Sequence, residues 1–267
     1  MARKSQARKS PAPKTRKSSQ FDQQFLFEQI NEAAKREGPR IKKWTTHDLK
    51  NIKPKAGSNS QYEMFKTFLE EPTTHIVANG FPGTGKTYVS LWLALNGILN
   101  PEAPQDHIII VRSAVPARDI GFLPGTQEEK MAPFEVAYKD IIHDLIGRPT
   151  SYEDMVEAGK IKFMPTSFLR GLTWDNAIVV VDEIQNMSWQ EIHTIMTRVG
   201  KNTRLLVCGD KSQNDLADKR SEDSGFDSFL RVANNMKNFE VITFTKEEIV
   251  RSGFVKEWII AKEDLGL

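Results

Sequence analysis

Cysteine is almost absent from this sequence, and long apolar runs are missing altogether. The 267 residues include a single cysteine, Cys208, which excludes an internal disulfide and a cysteine-based zinc site. The five histidines show no metal-ligand spacing. No apolar run approaches the roughly 20 residues that a membrane-spanning helix needs, and no apolar segment of a secretory signal follows the basic N-terminus. We therefore expect a cytoplasmic protein with no membrane partner.

Acidic residues are missing from the first twenty positions. This segment carries seven positive charges, and subtracting them from the net charge of +2 leaves the remainder of the chain at −5. A segment with so few apolar residues is predicted to be disordered. Two interpretations stay open, a tail that contacts a polyanion such as nucleic acid and a solvated bystander. A transit peptide is the weaker alternative, because the segment has no amphipathic apolar face.

What the sequence does contain is a glycine-rich segment with the spacing G-x-x-x-x-G-K-T, the phosphate-binding P-loop. In order, the segment is Gly80, Phe81, Pro82, Gly83, Thr84, Gly85, Lys86 and Thr87. An apolar strand pattern precedes it and a helical pattern follows it. Glycines let successive backbone N–H groups point at phosphates, and the helix N-terminus adds positive charge. Lys86 is predicted to reach the β- and γ-phosphates, and the Thr87 hydroxyl to hold Mg²⁺.

Strand and helix patterns alternate along the chain. Apolar, β-branched runs at 108–111, 177–181 and 204–208 predict buried parallel strands, with helices between them. The fold class is therefore α/β, a mostly parallel sheet flanked by helices. The predicted division is a disordered basic tail over 1–20, an appendage helix and loop over 21–57, and an ATPase domain over 58–267. We also expect a helix from Ser58 to Glu71 with Tyr62, Phe65, Phe68 and Leu69 on one face, and we expect the tryptophans to serve packing, Trp258 among them.

Acidic and amide side chains follow two of the predicted strands. Ligands of open α/β sheets bind outside the carboxyl ends of the strands. Asp182 is predicted to hold Mg²⁺, and the adjacent Glu183 to polarise a water for attack on the γ-phosphate. Gln213, after the next strand, is placed to sense the γ-phosphate or the attacking water. These residues favour a hydrolytic ATPase over a P-loop kinase.

Taken together, the motifs resemble those of the PhoH-like ATPases. The resemblance rests on six segments in the family's order and covers roughly Ser58 to the C-terminus; the segments are 80–87, 121–125, 168–173, 182–186, 209–213 and 249–251. Ile184 stands where many members carry alanine, and Ser252 where many carry histidine. The resemblance implies one RecA-like domain related to superfamily 1 helicases, with ATP and Mg²⁺ as ligands and RNA or single-stranded nucleic acid as a partner. An ATP-gated RNA-binding or assembly protein with little turnover is the alternative.

Four further residues are candidate site residues, either through this resemblance or from their positions in the sequence. Gln61 resembles the glutamine by which helicase-like ATPases recognise adenine, although a polar residue at a helix start is an equal alternative. Arg251 is placed to meet the γ-phosphate in its own subunit or in a neighbour's, with a surface salt bridge as the alternative. Arg112 and Arg170 are candidates for nucleotide or nucleic-acid contact, or for structural ion pairs.

The residues after Gln213 are too few for a second domain, so we expect a homo-oligomer, a hexamer, with ATP near subunit interfaces.

Overall fold

The structure of the chain is a computed structural model that describes residues 44–113, 127–169, 171–210 and 225–265. The predicted tail, the appendage helix, the 121–125 segment, Arg170 and Gln213 lie outside these residues. Within the described ranges the strands are β1 (His75–Gly80), β2 (His107–Arg112), β3 (Ile161–Pro165), β4 (Ala177–Asp182), β5 (Arg204–Gly209) and β6 (Phe239–Phe244). The helices are α1 (Asn59–Glu70), α2 (Lys86–Leu99), α3 (Gln127–Ile146), α4 (Ser151–Glu157), α5 (Trp189–Met196), α6 (Phe226–Ala233) and α7 (Gly253–Asp264).

The six strands form one sheet in the order β3-β2-β4-β5-β1-β6, and every pair in it is parallel. The predicted α/β class with a parallel sheet is confirmed. β5 lies between β1, which leads into the glycine-rich loop, and β4, which ends at Asp182. The carboxyl ends of these three strands therefore meet at one edge, which is where open α/β sheets bind ligands.

Both faces of the sheet are covered. One apolar core packs beneath α1, α2, α3 and α4, and a second packs beneath α5 and α6. Every residue of β4 and β5 is buried, which explains why these strands are continuous apolar runs rather than alternating ones. Cys208 lies in the first core beside Ser90, as a small buried side chain. No helix of the described residues is long and apolar enough to cross a membrane.

Two expectations about apolar side chains are wrong. On α1, Met64, Phe65 and Phe68 are buried, but Tyr62 is 62% exposed and Leu69 is 60% exposed. Trp258 on α7 is 66% exposed and so does not pack in a core. The buried positions of α1 include Gln61 instead, because the side of this helix that faces the sheet also faces the glycine-rich loop.

Arg204, at the start of β5, fixes α1 on the sheet. Its buried guanidinium donates hydrogen bonds to the carbonyl oxygens of Thr67, Phe68, Glu71 and Thr74, and it lies 4.0 Å from the centre of the Phe68 ring. The last carbonyls of a helix have no partners within the helix, so one arginine here caps the helix end. Since α1 carries Gln61, this cap also positions one wall of the candidate site.

Candidate nucleotide-binding site

The loop between β1 and α2 turns through glycines in the left-handed region. Gly80, Gly83 and Gly85 have φ of 134°, 75° and 88°. A Cβ at Gly80 would lie 2.1 Å from the carbonyl oxygen of Phe244, so this position also excludes side chains by contact with β6. Gly85 is the N-cap of α2, and the helix starts at Lys86. The backbone is therefore shaped to wrap an anion in front of a helix N-terminus.

Lys86 points back over this loop. Its Nζ donates to the carbonyl oxygens of Gly80 and Phe81, at 2.6 Å and 2.7 Å. Burial lowers the pKa of the Lys86 ammonium from its ordinary value, and the nearby carboxylates, first Asp210, oppose that shift. The ammonium is thus held inside the loop, at the position where the predicted contact with phosphate would be made.

Thr87 and Asp182 form the pair that the sequence assigned to magnesium. The Thr87 hydroxyl donates to Oδ1 of Asp182 at 2.9 Å, which joins the start of α2 to the end of β4. Mg²⁺ prefers hard oxygen ligands and commonly takes one or two protein groups together with phosphate and water. Among the described residues, no three His, Cys, Asp or Glu side chains converge as a metal cluster. A hydroxyl and one carboxylate fit a magnesium ion that a nucleotide and water complete.

Glu183 adopts an unusual backbone conformation for a non-glycine residue, with φ of 54° in the left-handed region. Such conformations cluster at functional sites, where the surrounding structure must hold them. Burial, and then the charge of Asp182, raise the pKa of the Glu183 carboxyl, while Gln185, Arg112 and Lys86 oppose the rise. A carboxylate with a raised pKa is a better proton acceptor. The structure thus gives Glu183 the environment of a base beside the predicted metal ligand.

Gln185 is a buried residue to which the sequence motifs assign no role. Its Nε2 donates to Oε2 of Glu183 at 2.5 Å, and its Oε1 accepts from the backbone N–H of Asp210 at 3.0 Å. One amide therefore ties the Glu183 carboxylate to the end of β5. The residue lies within the family segment 182–186, but spacing alone gave no reason to separate it from its neighbours.

Arg251 borders the same site from the other side. The N–H of Val250 donates to the carbonyl of Gly83 at 2.9 Å, and a Cβ at Gly83 would lie 2.8 Å from Cγ of Arg251. The segment is anchored by Glu248, whose carboxylate accepts from Ser58 and Ser60 at 2.9 Å. Burial opposes ionisation of Glu248, but its hydrogen bonds outweigh burial and lower its pKa. The arginine is thereby held against the loop of its own chain.

Gln61 lies on the cleft wall, and both ends of its amide contact backbone. Nε2 donates to the carbonyl of Thr84, and Oε1 accepts from the N–H of Lys55, both at 2.8 Å. In this arrangement Gln61 braces the glycine-rich loop. Recognition of adenine by Gln61 remains a prediction.

Many of the residues described above line one open cleft of about 710 Å³. Its lining includes Lys86 and Thr87 from the start of α2, Asp182 and Glu183 from the end of β4, and Arg251 from the opposite side. Arg112 lies behind Asp182 and Glu183, beside Tyr138. Burial opposes its ionisation, but the hydrogen bond to Tyr138 and the charges of Asp182 and Glu183 outweigh burial and raise its pKa. Of the two alternatives for Arg112, this position favours structural pairing.

A parallel α/β sheet with a glycine-rich loop, a lysine, and a threonine–aspartate pair at its strand ends defines a P-loop nucleotide-binding protein of the ATPase type. The family model described as PhoH-like protein matches residues 51–263. The chain belongs to the PhoH-like protein family, and the resemblance drawn from the motifs is confirmed.

Curated relatives carry the same family name. The PhoH-like protein of Synechocystis is 33% identical over 208 residues, which cover 76% of this chain and 60% of that protein. Protein PhoH of Escherichia coli K12 is 34% identical over 188 residues, 70% of this chain and 52% of that protein. The PhoH-like protein of Bacillus subtilis is 34% identical, over 68% of this chain and 56% of that protein. The chain thus spans between half and two thirds of the relatives' lengths.

Among solved structures, the chain aligns with one from a study of DNA unwinding at forked double-stranded DNA by two coordinating Pif1 helicases. The alignment has a TM-score of 0.32 and 13% identity, and covers 70% of this chain and 43% of that one. A likeness this distant bears on neither the site nor its function.

Proposed function

We propose that this protein binds ATP with Mg²⁺ in the cleft and hydrolyses it, and that turnover is coupled to binding of RNA or single-stranded nucleic acid. The observation that carries the proposal is the 2.9 Å bond between Thr87 and Asp182. That bond brings the two predicted magnesium ligands together beside the lysine of the loop and beside Glu183.

In this proposal each residue acts on a separate part of the reaction. The loop N–H groups and Lys86 bind the phosphates and stabilise the charge that develops on them. Thr87 and Asp182 would hold Mg²⁺, which neutralises phosphate charge when bound. Glu183 orients the attacking water and accepts its proton, and Gln185 fixes the Glu183 carboxylate. Gln213 and Arg251 remain proposed sensors of the γ-phosphate.

The ATPase rate with and without RNA and single-stranded DNA tests this function. We expect Mg²⁺-dependent turnover that nucleic acid stimulates. Negligible turnover with tight ATP binding would instead indicate an ATP-gated binding or assembly protein. Phosphorylation of a small acceptor would indicate a kinase, which the position of Glu183 argues against.

We also propose that the protein works as a homo-oligomer, a hexamer, with a second copy of the chain seated on α7. Every residue of this helix is at least partly exposed, and Phe254 is 77% exposed. The helix follows directly after Arg251, which lines the cleft. A copy bound to the apolar side of α7 would therefore lie next to the open side of the nucleotide site, and a head-to-tail contact of this kind can close into a ring.

A further inference from the structure

Both carboxylate oxygens of Asp182 are hydrogen-bonded in the structure, and only one of the bonds belongs to the P-loop motif. Oδ1 accepts from the Thr87 hydroxyl, and Oδ2 accepts from the hydroxyl of Tyr138 at 2.9 Å. Tyr138 lies on α3, 44 residues before Asp182 in the chain. The second bond therefore joins the candidate magnesium ligand to a helix that carries none of the sequence motifs.

Tyr138 is itself held on several sides. Its side chain is fully buried, its ring packs 5.7 Å from the Phe163 ring of β3, and Arg112 at the end of β2 hydrogen-bonds its hydroxyl. The Arg112 guanidinium in turn lies 5.7 Å from the centre of the Phe134 ring, also on α3. Since arginine can only donate, the Tyr138 hydroxyl accepts a hydrogen bond from Arg112 and donates its own proton to Asp182. The three residues thus form a directed chain that ends on Oδ2.

An aspartate carboxylate turns easily about its last torsion, which is broad rather than three-fold. The bond from Tyr138 to Oδ2 opposes that rotation and so helps to keep Oδ1 facing Thr87. In other metal sites, residues that hydrogen-bond to the metal ligands and orient them contribute about 10–100-fold to metal affinity.

We propose that Tyr138, held by Arg112, is a positioning residue that orients the Asp182 carboxylate for Mg²⁺ and so sets the magnesium requirement of nucleotide binding. The inference rests on the proposed function, because it assumes that Mg²⁺ and ATP bind in this cleft. It assigns α3 and the end of β2 to the nucleotide site, which the family motifs of the described residues do not do.

The test is a Mg²⁺ titration of ATP binding, followed by thermal stabilisation of the full chain rather than by activity. Tyr138→Phe removes only the hydroxyl. We expect the half-saturating Mg²⁺ concentration to rise about 10-fold, while the affinity for ATP without Mg²⁺ is unchanged. Tyr152→Phe is the matched control, because Tyr152 is also buried and its hydroxyl faces Glu135 instead. The control should leave the Mg²⁺ midpoint as in wild type.

Arg112→Gln provides a second variant should Tyr138→Phe lower the melting temperature of the unliganded protein. It keeps Tyr138 and is expected to shift the Mg²⁺ midpoint in the same direction by a smaller factor. A wild-type midpoint in both variants would overturn the positioning role and leave the proposed function intact. Wild-type protein that binds ATP equally well with and without Mg²⁺ would overturn both.

Discussion

At the scale of single residues, buried amides and hydroxyls hold the charged groups of the candidate site. Gln185 is the clearest example of such a residue, because its side-chain amide hydrogen-bonds both the Glu183 carboxylate and the backbone of Asp210. Gln185→Ala should leave Glu183 free to turn, so we expect kcat to fall about 10-fold or more, with ATP affinity nearly unchanged. Steady-state kinetics measure kcat, and a binding titration measures the affinity for ATP separately. Gln190→Ala, at an exposed glutamine of α5, is the control; equal effects of the two variants would refute the role of Gln185.

Local sequence could predict the residues of the site that belong to a spaced motif. The positions of Lys86, Thr87, Asp182 and Glu183 after apolar strands predict their roles, and the structure brings these residues together. Tyr138 and Glu248 could not be found in this way, because each acts across a long stretch of chain. A tyrosine in an amphipathic helix and an acid in a polar turn give no local signal of burial; only the tertiary packing creates their roles.

At the scale of elements, continuous β-branched runs predicted the buried strands to within one or two residues. The helix α5 begins with a capping box of Ser188 and Glu191, a pattern that local sequence also carries. α4 was not predicted, because it is short and is stabilised by burial of Tyr152 and Met155 rather than by its own periodicity. The burial of Tyr62 and Leu69 was predicted wrongly for a similar reason. Tertiary packing puts the polar Gln61 on the inner face of α1, and apolar periodicity does not indicate this.

His75, at the start of β1, gives a prediction about pH and stability. Burial, and then the charge of Arg204, lower its pKa from 6.5 to about 4. The unfolded chain therefore binds a proton between pH 6.5 and 4 that the folded chain does not, so stability is lost as pH falls through this range. At pH 5 we expect a loss of about 2 kcal/mol relative to pH 7.5 from this residue.

Urea unfolding at the two pH values measures this loss. His75→Asn keeps an acceptor for the N–H of Leu205, which His75 Nδ1 contacts at 3.1 Å, and it cannot titrate. The variant should lose less stability than wild type on going to pH 5, whereas His47→Asn, at an exposed histidine, should behave as wild type. The same pH dependence in His75→Asn and wild type would show that another group is responsible.

At the scale of the whole molecule, the proposed homo-oligomer depends on the exposed apolar residues of α7. Phe254→Ser with Trp258→Ser removes apolar surface that no core of the described residues uses, so the fold should persist while the oligomer dissociates. Light scattering with and without ATP and RNA measures the mass. Tyr62→Ser with Leu69→Ser, two apolar residues that are also exposed, on α1, is the control. A wild-type monomer that hydrolyses ATP at full rate would contradict the assembly proposal.

The central claim, that this cleft hydrolyses ATP through Glu183, is tested most directly by comparing Glu183→Gln with Lys86→Ala. ATP binding and single-turnover hydrolysis should be measured on both. Because the proposed role of Glu183 is on the water and that of Lys86 on the phosphates, Glu183→Gln should bind ATP nearly as wild type and lose turnover by about 100-fold or more. Lys86→Ala should lose binding and turnover together. Hydrolysis at the wild-type rate by Glu183→Gln would contradict the account.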